Sequence, residues 1–314
     1  MKALIIGAAG FVGSYLIQHL TTAYKWEIHA TKLPNENLSA SDIRVHDLNI
    51  MNPNEIRQLL TEVKPDYIFH LAAQSSVALS WKNPQLTVDI NIKGTLNILD
   101  TIRSLENYSP RILLIGSGEE YGYILPDETP VSEQVTPRPG NIYAATKTCQ
   151  NMIGNIYSRA YGMQLIMVRA FNHIGPNQAA IFVASDFCKQ VSEIEFGKKE
   201  PTLHVGNLSA KRDFTDVRDV VQAYGLLIQN GKPGETYNVG SGHAISIQEL
   251  LDTILSLSTS KILVSTDPAR FRPSDIPIIE ADISKLQETI HWYPEIPLKQ
   301  TLFETLNYWR EKQA

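Results

Sequence analysis

The sequence predicts an α/β protein with a doubly wound parallel sheet and a smaller domain built from discontinuous segments of its 314 residues. In the first third of the chain, short apolar runs alternate with segments of helical periodicity, as in strand–helix–strand units. The run Arg111–Ile115 is apolar after its first residue, which is typical of a strand covered by helices on both sheet faces. The length allows one large domain or two closely packed ones.

Apolar runs bounded by turn residues mark the strands, and two Asn-Pro pairs mark helix starts because they supply a cap and a first-turn proline. In chain order we predict strand Ala3–Ile6, helix Phe11–Leu20, strand Trp26–Ala30, a helix from Asn52 to about Glu62, strand Tyr67–Phe69, helix Asn83–Ser104, strand Arg111–Ile115, helix Ile142–Tyr161 and strand Leu165–Val168. Between Ser117 and Asn141 four prolines interrupt the pattern, and an irregular segment of this length is usually functional.

Composition and charge disfavour several classes of protein. The chain has 28 Lys and Arg against 33 Asp and Glu residues, a net charge of −5, and no block of like charges, so we expect neither a nucleic acid nor an anionic membrane as partner. The start, Met1 to Ile6, leads into glycines instead of a cleavage site, and no apolar run reaches the roughly 18 residues of a membrane span. Cys149 and Cys188 lack a metal-type spacing. We expect a cytoplasmic protein without a metal or a disulfide framework.

Three glycines, Gly7, Gly10 and Gly13, directly follow the first predicted strand, and the first helix opens among them with Phe11 and Val12. This is the context of a Rossmann-type dinucleotide fingerprint, in which glycines permit the tight turn and let the backbone approach a pyrophosphate. The N-terminus of the helix adds unpaired N–H groups and a partial positive charge. A glycine-rich turn without a ligand is the alternative, and the flanking strand and helix favour the cofactor.

The end of the second strand bears on the choice of cofactor. An acidic residue there would hold the ribose 2′-hydroxyl of NAD, but this strand ends in Thr31 and Lys32, which suit a 2′-phosphate. We therefore expect NADP(H) to be preferred, with NAD(H) as the alternative if Lys32 is only a solvated loop lysine. Asp47 and Leu48, after the short run Arg44-Val45, could contact the adenine edge, although a plain loop aspartate fits equally well.

Tyr143 and Lys147 are four residues apart, adjacent on one face of a predicted helix. A neighbouring ammonium stabilises a phenolate and lowers the tyrosine pKa from about 10, so that the phenol can exchange a proton with a sugar oxygen. Ser117 follows the strand Arg111–Ile115, at the edge where ligands bind in open parallel sheets. Its hydroxyl could hydrogen-bond the same reacting oxygen.

These residues, together with His70-Leu71-Ala72-Ala73 and Asn91 in Asn91–Thr95, resemble the extended short-chain dehydrogenases/reductases that modify nucleotide sugars. The resemblance extends over essentially the whole chain. It implies that Tyr143 is the general acid, that Lys147 holds the nicotinamide ribose and that Ser117 orients the substrate oxygen. It also implies cofactor contacts for Leu71, Ala72 and Ala73. We expect His70 to be a packed core histidine and Asn91 to cap or kink its helix.

Three further segments resemble those with which GDP-mannose-modifying members of this family hold GDP. They are Phe171–Pro176, Lys211–Phe214 and Arg270–Asp275. The resemblance implies that Arg212 and Arg272 bind pyrophosphate oxygens, that Asn172 donates to them and that Asp275 accepts from ribose hydroxyls, roles that suit these side chains. Surface ion pairs for the arginines, and solvated or capping roles for Asp213 and Asp219, are the alternatives.

The alternation fails after Phe171, which sets the predicted domain boundaries. Residues 1–171 form the dinucleotide-binding domain, with 213–242 folding back onto it, and residues 172–212 and 243–314 form the smaller nucleotide-sugar domain. The resemblance implies a homodimer paired through two helices per subunit, for which Asn83–Ser104 and Ile142–Tyr161 are the candidates.

The run Ser117–Gly122 distinguishes between reactions within the family. It is most similar to reductases that convert GDP-4-keto-6-deoxy-D-mannose to GDP-D-rhamnose, and it lacks the cysteine of GDP-fucose synthases. Glu119 keeps GDP-D-mannose 4,6-dehydratase as the alternative, because that reaction needs a carboxylate base at carbon 5. A catalytically inactive dinucleotide sensor is the alternative from another class. The stereochemistry at carbon 4 stays open, so 6-deoxy-D-talose remains beside D-rhamnose.

Overall fold

A computed structural model describes residues 1–38, 42–271 and 276–314. Its strands are β1 (Lys2–Ile6), β2 (Glu27–Lys32), β3 (Arg44–Asp47), β4 (Tyr67–His70), β5 (Arg111–Ile115), β6 (Gln164–Ala170), β7 (Asn172–Ile174), β8 (Thr202–Val205), β9 (Lys211–Asp216), β10 (Thr236–Val239), β11 (Ala244–Ser246), β12 (Leu263–Thr266) and β13 (Ile278–Ile279). Its α-helices are α1 (Phe11–His19), α2 (Pro53–Val63), α3 (Val77–Lys82), α4 (Pro84–Val88), α5 (Gly94–Arg103), α6 (Ile142–Tyr161), α7 (Val183–Glu195), α8 (Val217–Asn230), α9 (Ile247–Ser256), α10 (Ser284–Ile290) and α11 (Leu298–Glu311).

Within the described residues, seven strands form one parallel sheet in the order β10-β6-β5-β4-β1-β2-β3. Two separate apolar clusters pack against it: one includes Leu16 of α1 and Leu227 of α8, and the other includes Leu60 of α2 and Leu99 of α5. The predicted doubly wound α/β fold is confirmed. The order reverses between β1 and β4, and the carboxyl ends of strands beside such a reversal are where open α/β sheets bind ligands.

The predicted bounds of β5 and α6 agree with the structure, but within residues 1–171 two elements were missed and one was broken. The strand β3 has mostly exposed side chains at the sheet edge, so it lacks the apolar run that marks a strand. The short helix α3 was also missed. The predicted helix Asn83–Ser104 is interrupted by a π-turn over Asp89–Lys93 that separates α4 from α5.

The second half of the chain builds smaller sheets beside the large one. Strand β9 pairs with β11, β13 and β7, and β8 pairs with β12. Helices α7, α9 and α11 enclose a third apolar cluster that includes Val191, Leu251 and Leu306. The chain returns to the large sheet through α8, which packs on α1, and β10. The division into two domains stays a prediction.

Side chains of α1 contact the segment that follows β6. Phe11 stacks on His173 with ring centroids 6.2 Å apart, and the Tyr15 hydroxyl donates to the Pro176 carbonyl at 2.8 Å. These contacts place Asn172 and its neighbours beside the helix that begins at the glycine turn. Among the described helices, none is both long and apolar enough to cross a bilayer.

Candidate active site

The three glycines of the first turn differ in how closely other atoms approach the position of a Cβ. Gly7 has φ +84°, and a Cβ there would lie 2.6 Å from the Ala72 backbone; a Cβ at Gly13 would lie 2.1 Å from the Ala8 carbonyl oxygen. At Gly10 the nearest atom to a Cβ would be the Gly7 carbonyl oxygen, at 3.6 Å. Gly7 and Gly13 are therefore required by packing, whereas Gly10 leaves open space at the N-terminus of α1.

The start of α1 fits the pyrophosphate of a dinucleotide. Gly10 is the N-cap residue, and among the described residues no side chain caps this helix and no acidic residue lies in its first turn. The first N–H groups of the helix are thus available to an anion. Behind the turn, the Gly7 N–H donates to the Thr31 hydroxyl at 3.1 Å, which fixes the turn against the end of β2.

The expected adenosine end of the site contains a lysine that already has a partner. The Lys32 ammonium lies 2.6 Å from the Asp47 carboxylate, across the β2–β3 pair. Leu48 is buried, and its N–H donates to the Lys32 carbonyl at 2.9 Å. On the other side, the N–H groups of Leu71 and Ala72 both donate to the Ile6 carbonyl, which brings residues 71–73 against the glycine turn.

Ser117 lies on a turn that begins one residue after β5. Its hydroxyl accepts from the Glu119 N–H at 3.2 Å, and its own N–H donates to the Glu120 carboxylate at 2.9 Å, which together form a capping box. Glu119 points the other way and accepts from the Asn141 amide at 3.2 Å. Asn141 is also the N-cap of α6, so Glu119 and the start of that helix are joined.

Helix α6 brings Tyr143 and Lys147 to this turn. The Ser117 hydroxyl is close enough to the Tyr143 phenol to lower the pKa of that phenol, and both side chains are largely buried. The Lys147 ammonium donates to the Ile115 carbonyl at 2.7 Å and to the Gln150 side chain at 3.1 Å. The structure therefore brings together the three residues that the sequence assigned to proton transfer.

The electrostatics of Tyr143 differ from the sequence prediction. Burial raises the pKa of Tyr143 well above its usual range; the nearby Ser117 hydroxyl opposes this, while Glu119 and Glu120 raise the pKa further. Burial also lowers the pKa of Lys147 to about 8, which the charge of Glu120 opposes. The expected lowering of the tyrosine pKa by Lys147 is thus not seen, because the ammonium is turned toward Ile115 and burial of the phenol dominates. A protonated phenol suits a proton donor.

Residues that the sequence did not single out lie beneath this site. Glu120 is fully buried, and its second carboxylate oxygen accepts from the Arg169 guanidinium at 3.0 Å. Arg169 interrupts the otherwise apolar strand β6, and that interruption is the signal from which a buried partner could have been inferred.

His70 and Asn91 have the packing roles expected of them. His70 is buried and contacts the Thr95 hydroxyl at 3.0 Å. Asn91 lies in the π-turn, where its amide donates to the Thr146 hydroxyl and exchanges hydrogen bonds with the Gln74 backbone. These bonds join the segment after β4 to α6.

A small cavity beside the Ser117 turn is lined by three of the predicted substrate residues, Glu119, Asn172 and Arg212, together with Asp213. One Arg212 nitrogen donates to the carbonyls of Lys211 and Ile276. Asp213 is buried and accepts from Ser241, Gly242 and Ala281, so it holds a loop and is not solvated.

The predicted Arg272 and Asp275 lie outside the described residues. In the part of the chain that is described, no group of three or more His, Cys, Asp or Glu residues is arranged to hold a metal.

Comparisons with known proteins match the whole chain. Residues 4–305 match the family model described as GDP-mannose 4,6 dehydratase. The chain is 31% identical to the GDP-6-deoxy-D-mannose reductase of Pseudomonas aeruginosa, over 99% of this chain and 98% of that protein. It is 28% identical to a GDP-mannose 4,6-dehydratase of Yersinia enterocolitica, over 96% of this chain and 92% of that protein. A solved structure, that of RMD from Pseudomonas aeruginosa complexed with NADPH, matches with a TM-score of 0.88 and 30% identity, covering 99% of this chain and 100% of that chain.

Proposed function

This chain belongs to the GDP-mannose 4,6-dehydratase family, and from that premise we propose that it reduces the 4-keto group of GDP-4-keto-6-deoxy-D-mannose with NADPH to give GDP-D-rhamnose. The chain is an NADP(H)-dependent enzyme, with NAD(H) as the alternative cofactor. The observation that supports the reaction best is the placement of Tyr143 near the Ser117 turn, with the buried Lys147 one helical turn further along α6. The alternative of an inactive sensor is disfavoured for two reasons. The relatives are named as enzymes, and Ser117, Tyr143 and Lys147 are all present in this chain.

Each residue of this set has a chemical role in the proposal. NADPH, held at the glycine turn, supplies the hydride that reduces carbon 4. Tyr143, whose phenol is protonated over the working pH range, donates the proton to the carbonyl oxygen as negative charge develops there. The Ser117 hydroxyl donates a hydrogen bond to the same oxygen, and Lys147 binds the nicotinamide ribose.

The proposed GDP site uses the cavity beside the turn. Asn172 of β7, Arg212 of β9 and Glu119 of the turn line this small cavity, and in the proposal the diphosphate and the sugar lie along its mouth. A guanidinium suits a diphosphate because it offers several donors in a planar fork. We assign Arg272 and Asp275 to the same ligand from the resemblance alone.

The cofactor preference depends on Lys32 in this proposal. Asp47 holds the Lys32 ammonium beside the end of β2, close to where the adenosine ribose would lie, so a 2′-phosphate would meet a cation already in place. The variant Lys32→Ala is therefore expected to weaken NADPH binding by about tenfold and to leave NADH binding unchanged, as a charge–phosphate contact of about 1.4 kcal/mol would do. The measurement is titration of cofactor fluorescence.

The control for this variant is Lys25→Ala, since Lys25 is an exposed lysine at the other end of β2. Equal weakening of NADPH and NADH binding by Lys32→Ala would contradict the role of Lys32 in recognising the 2′-phosphate.

The reaction itself is tested by following NADPH absorbance with purified protein and GDP-4-keto-6-deoxy-D-mannose, with GDP-D-mannose in a parallel cuvette. Oxidation of NADPH with the keto sugar alone is expected, and identification of the product sugar distinguishes D-rhamnose from 6-deoxy-D-talose. The dehydratase is the second candidate, because Glu119 faces the cavity and could act as a base at carbon 5. Keto sugar formed from GDP-D-mannose without net NADPH oxidation would overturn the reductase in favour of that reaction.

We also propose that the protein is a homodimer paired through α4–α5 and α6. Large apolar side chains are exposed on these helices, including Leu86 at 40%, Met152 at 59% and Ile156 at 57%. Met152 and Ile156 are four residues apart, so they lie on one face of α6. Exposed apolar side chains close together on one helix face support the proposal of an interaction surface there.

The double variant Met152→Glu with Ile156→Glu is expected to convert the dimer to a monomer in sedimentation experiments, because two carboxylates would have to be buried at the interface. The variant Tyr293→Glu, at an equally exposed aromatic residue elsewhere, is the control. A wild-type protein that sediments as a monomer would refute the proposed dimer.

A further inference from the structure

The carboxylate of Glu120 is buried directly behind the catalytic turn. One of its oxygens accepts from the Ser117 N–H at 2.9 Å and the other accepts from the Arg169 guanidinium at 3.0 Å. Glu120 is 0% exposed and Arg169 is 6% exposed, so this is an ion pair removed from water. Glu120 therefore links the backbone of Ser117 to the interior of the large sheet.

Neighbouring residues pack closely around the ion pair of Glu120 and Arg169. A Cβ at Gly116 would lie 2.2 Å from the Glu120 carboxylate, so only glycine at that position leaves room for it. The Arg169 guanidinium lies over the Tyr121 ring, 4.6 Å from its centroid, and the Tyr121 hydroxyl donates to Asn238 at 2.7 Å. Two apolar side chains could fill this space without the cost of desolvating two charges. The ion pair therefore calls for an explanation other than stability.

The charge of this carboxylate also acts on Lys147, whose ammonium donates to the Ile115 carbonyl at 2.7 Å, two residues before the Ser117 N–H that Glu120 accepts from. Two titratable groups interact with this ammonium, Glu120 from the turn and His70 from β4, and Tyr143 lies four residues before Lys147 on the same helix. Burial, with a further contribution from Lys147, lowers the pKa of His70 to about 3, so His70 is neutral at working pH. Among the described residues, Glu120 is the carboxylate whose charge favours the protonated form of Lys147.

The structure assigns to Glu120 the role of a positioning residue: held by Arg169, its carboxylate fixes the turn that presents Ser117 and places a negative charge that acts on Lys147. This assignment rests on the reduction proposed above, in which Lys147 acts as a cation. Glu120 does not contact the reacting atoms and works through Ser117 and Lys147.

The direction of the expected effect follows from the charges. Burial raises the pKa of Glu120 to about 7 despite the opposing effects of Arg169 and the Ser117 N–H, and burial lowers the pKa of Lys147 to about 8. Above pH 7 the carboxylate is charged, and its charge raises the pKa of Lys147. Loss of that charge lowers the pKa of Lys147, so the ammonium is lost at a lower pH.

The test is the pH titration of Lys147 in Glu120→Gln, which keeps an acceptor for the Ser117 N–H but removes the charge. Lysine labelled with carbon-13 at Cε reports each ammonium by NMR, and Lys147→Met assigns the signal. The pKa of Lys147 is expected to fall by about one unit. The alkaline limb of the pH profile of kcat/KM is expected to move to lower pH by the same interval. An unchanged titration, even with a lower melting temperature, would show that Glu120 is only structural.

Two further variants keep the result interpretable. Glu120→Gln combined with Arg169→Met removes both charges and avoids a buried unpaired guanidinium, so it is expected to fold and to show a smaller fall in the pKa of Lys147, since losing the guanidinium charge partly offsets losing the carboxylate. Glu195→Gln is the matched control, since the side chain of Glu195 is also largely buried and paired with an arginine, Arg310. This pair lies beside the third apolar cluster and not at the Ser117 turn. The control variant is expected to lower the melting temperature and to leave the pKa of Lys147 unchanged. The NMR titration needs neither substrate nor cofactor, so it decides this assignment even if the keto sugar is not reduced.

Discussion

Replacement of Tyr143 by phenylalanine is expected to lower turnover of the keto sugar about 1,000-fold, because it removes the proton donor and leaves the carbonyl oxygen with the Ser117 hydroxyl alone. The ring would remain packed at the start of α6, where Asn141 still caps the helix through the Ala144 N–H at 2.8 Å. NADPH binding is therefore expected to change less than about threefold. The two measurements are single-turnover reduction of the keto sugar and a fluorescence titration with NADPH.

Tyr224→Phe is the matched control for this variant. Tyr224 is fully buried on α8, and its hydroxyl has no hydrogen-bond partner among the residues that the structure describes. Its loss is expected to leave turnover unchanged, since an unsatisfied buried hydroxyl contributes nothing favourable to the folded protein. Near-normal turnover in Tyr143→Phe would remove Tyr143 from the mechanism.

Replacement of Gly13 by alanine is the second change with a large expected effect. The added Cβ would lie 2.1 Å from the Ala8 carbonyl oxygen, and because the contact is with backbone, the turn or the helix must move. We expect a loss of about 3 kcal/mol in the free energy of unfolding, as for an overpacked site, and loss of NADPH binding by at least about tenfold. Chemical denaturation and a fluorescence titration measure the two effects.

Gly10→Ala separates the ligand from the packing. Gly10 has φ −72°, and a Cβ there would come no closer than 3.6 Å to a described atom, so the stability of this variant is expected to match that of the wild type. The methyl group would occupy the space in which the backbone meets the pyrophosphate, so NADPH binding is expected to weaken by about tenfold. If Gly10→Ala bound NADPH like the wild type, the pyrophosphate would not lie at this turn.

Local patterns in the sequence were enough to predict the elements that surround the site. The apolar run of β5, the Asn caps of α2 and α4 and the glycine spacing before α1 each depend on a few neighbouring residues, and all of them appear in the structure. The edge strand β3 was missed because its side chains are mostly exposed, so no apolar pattern marks it. The π-turn within the predicted helix Asn83–Ser104 depends on Asn91 bonding to α6 and to the segment after β4, which no local pattern reveals.

What the sequence determined by itself is the order of strands and helices and the residue types at the end of each strand, since periodicity, caps and glycines act over a few residues. Those ends place Ser117 and the glycine turn at one edge of the sheet, and the spacing of Tyr143 and Lys147 sets them on one helix face. Only the tertiary structure decided the charge environment of these groups. The partner of Glu120 is Arg169, 49 residues away, and the pKa of Tyr143 is raised by burial, so both depend on which distant segments exclude water from the site.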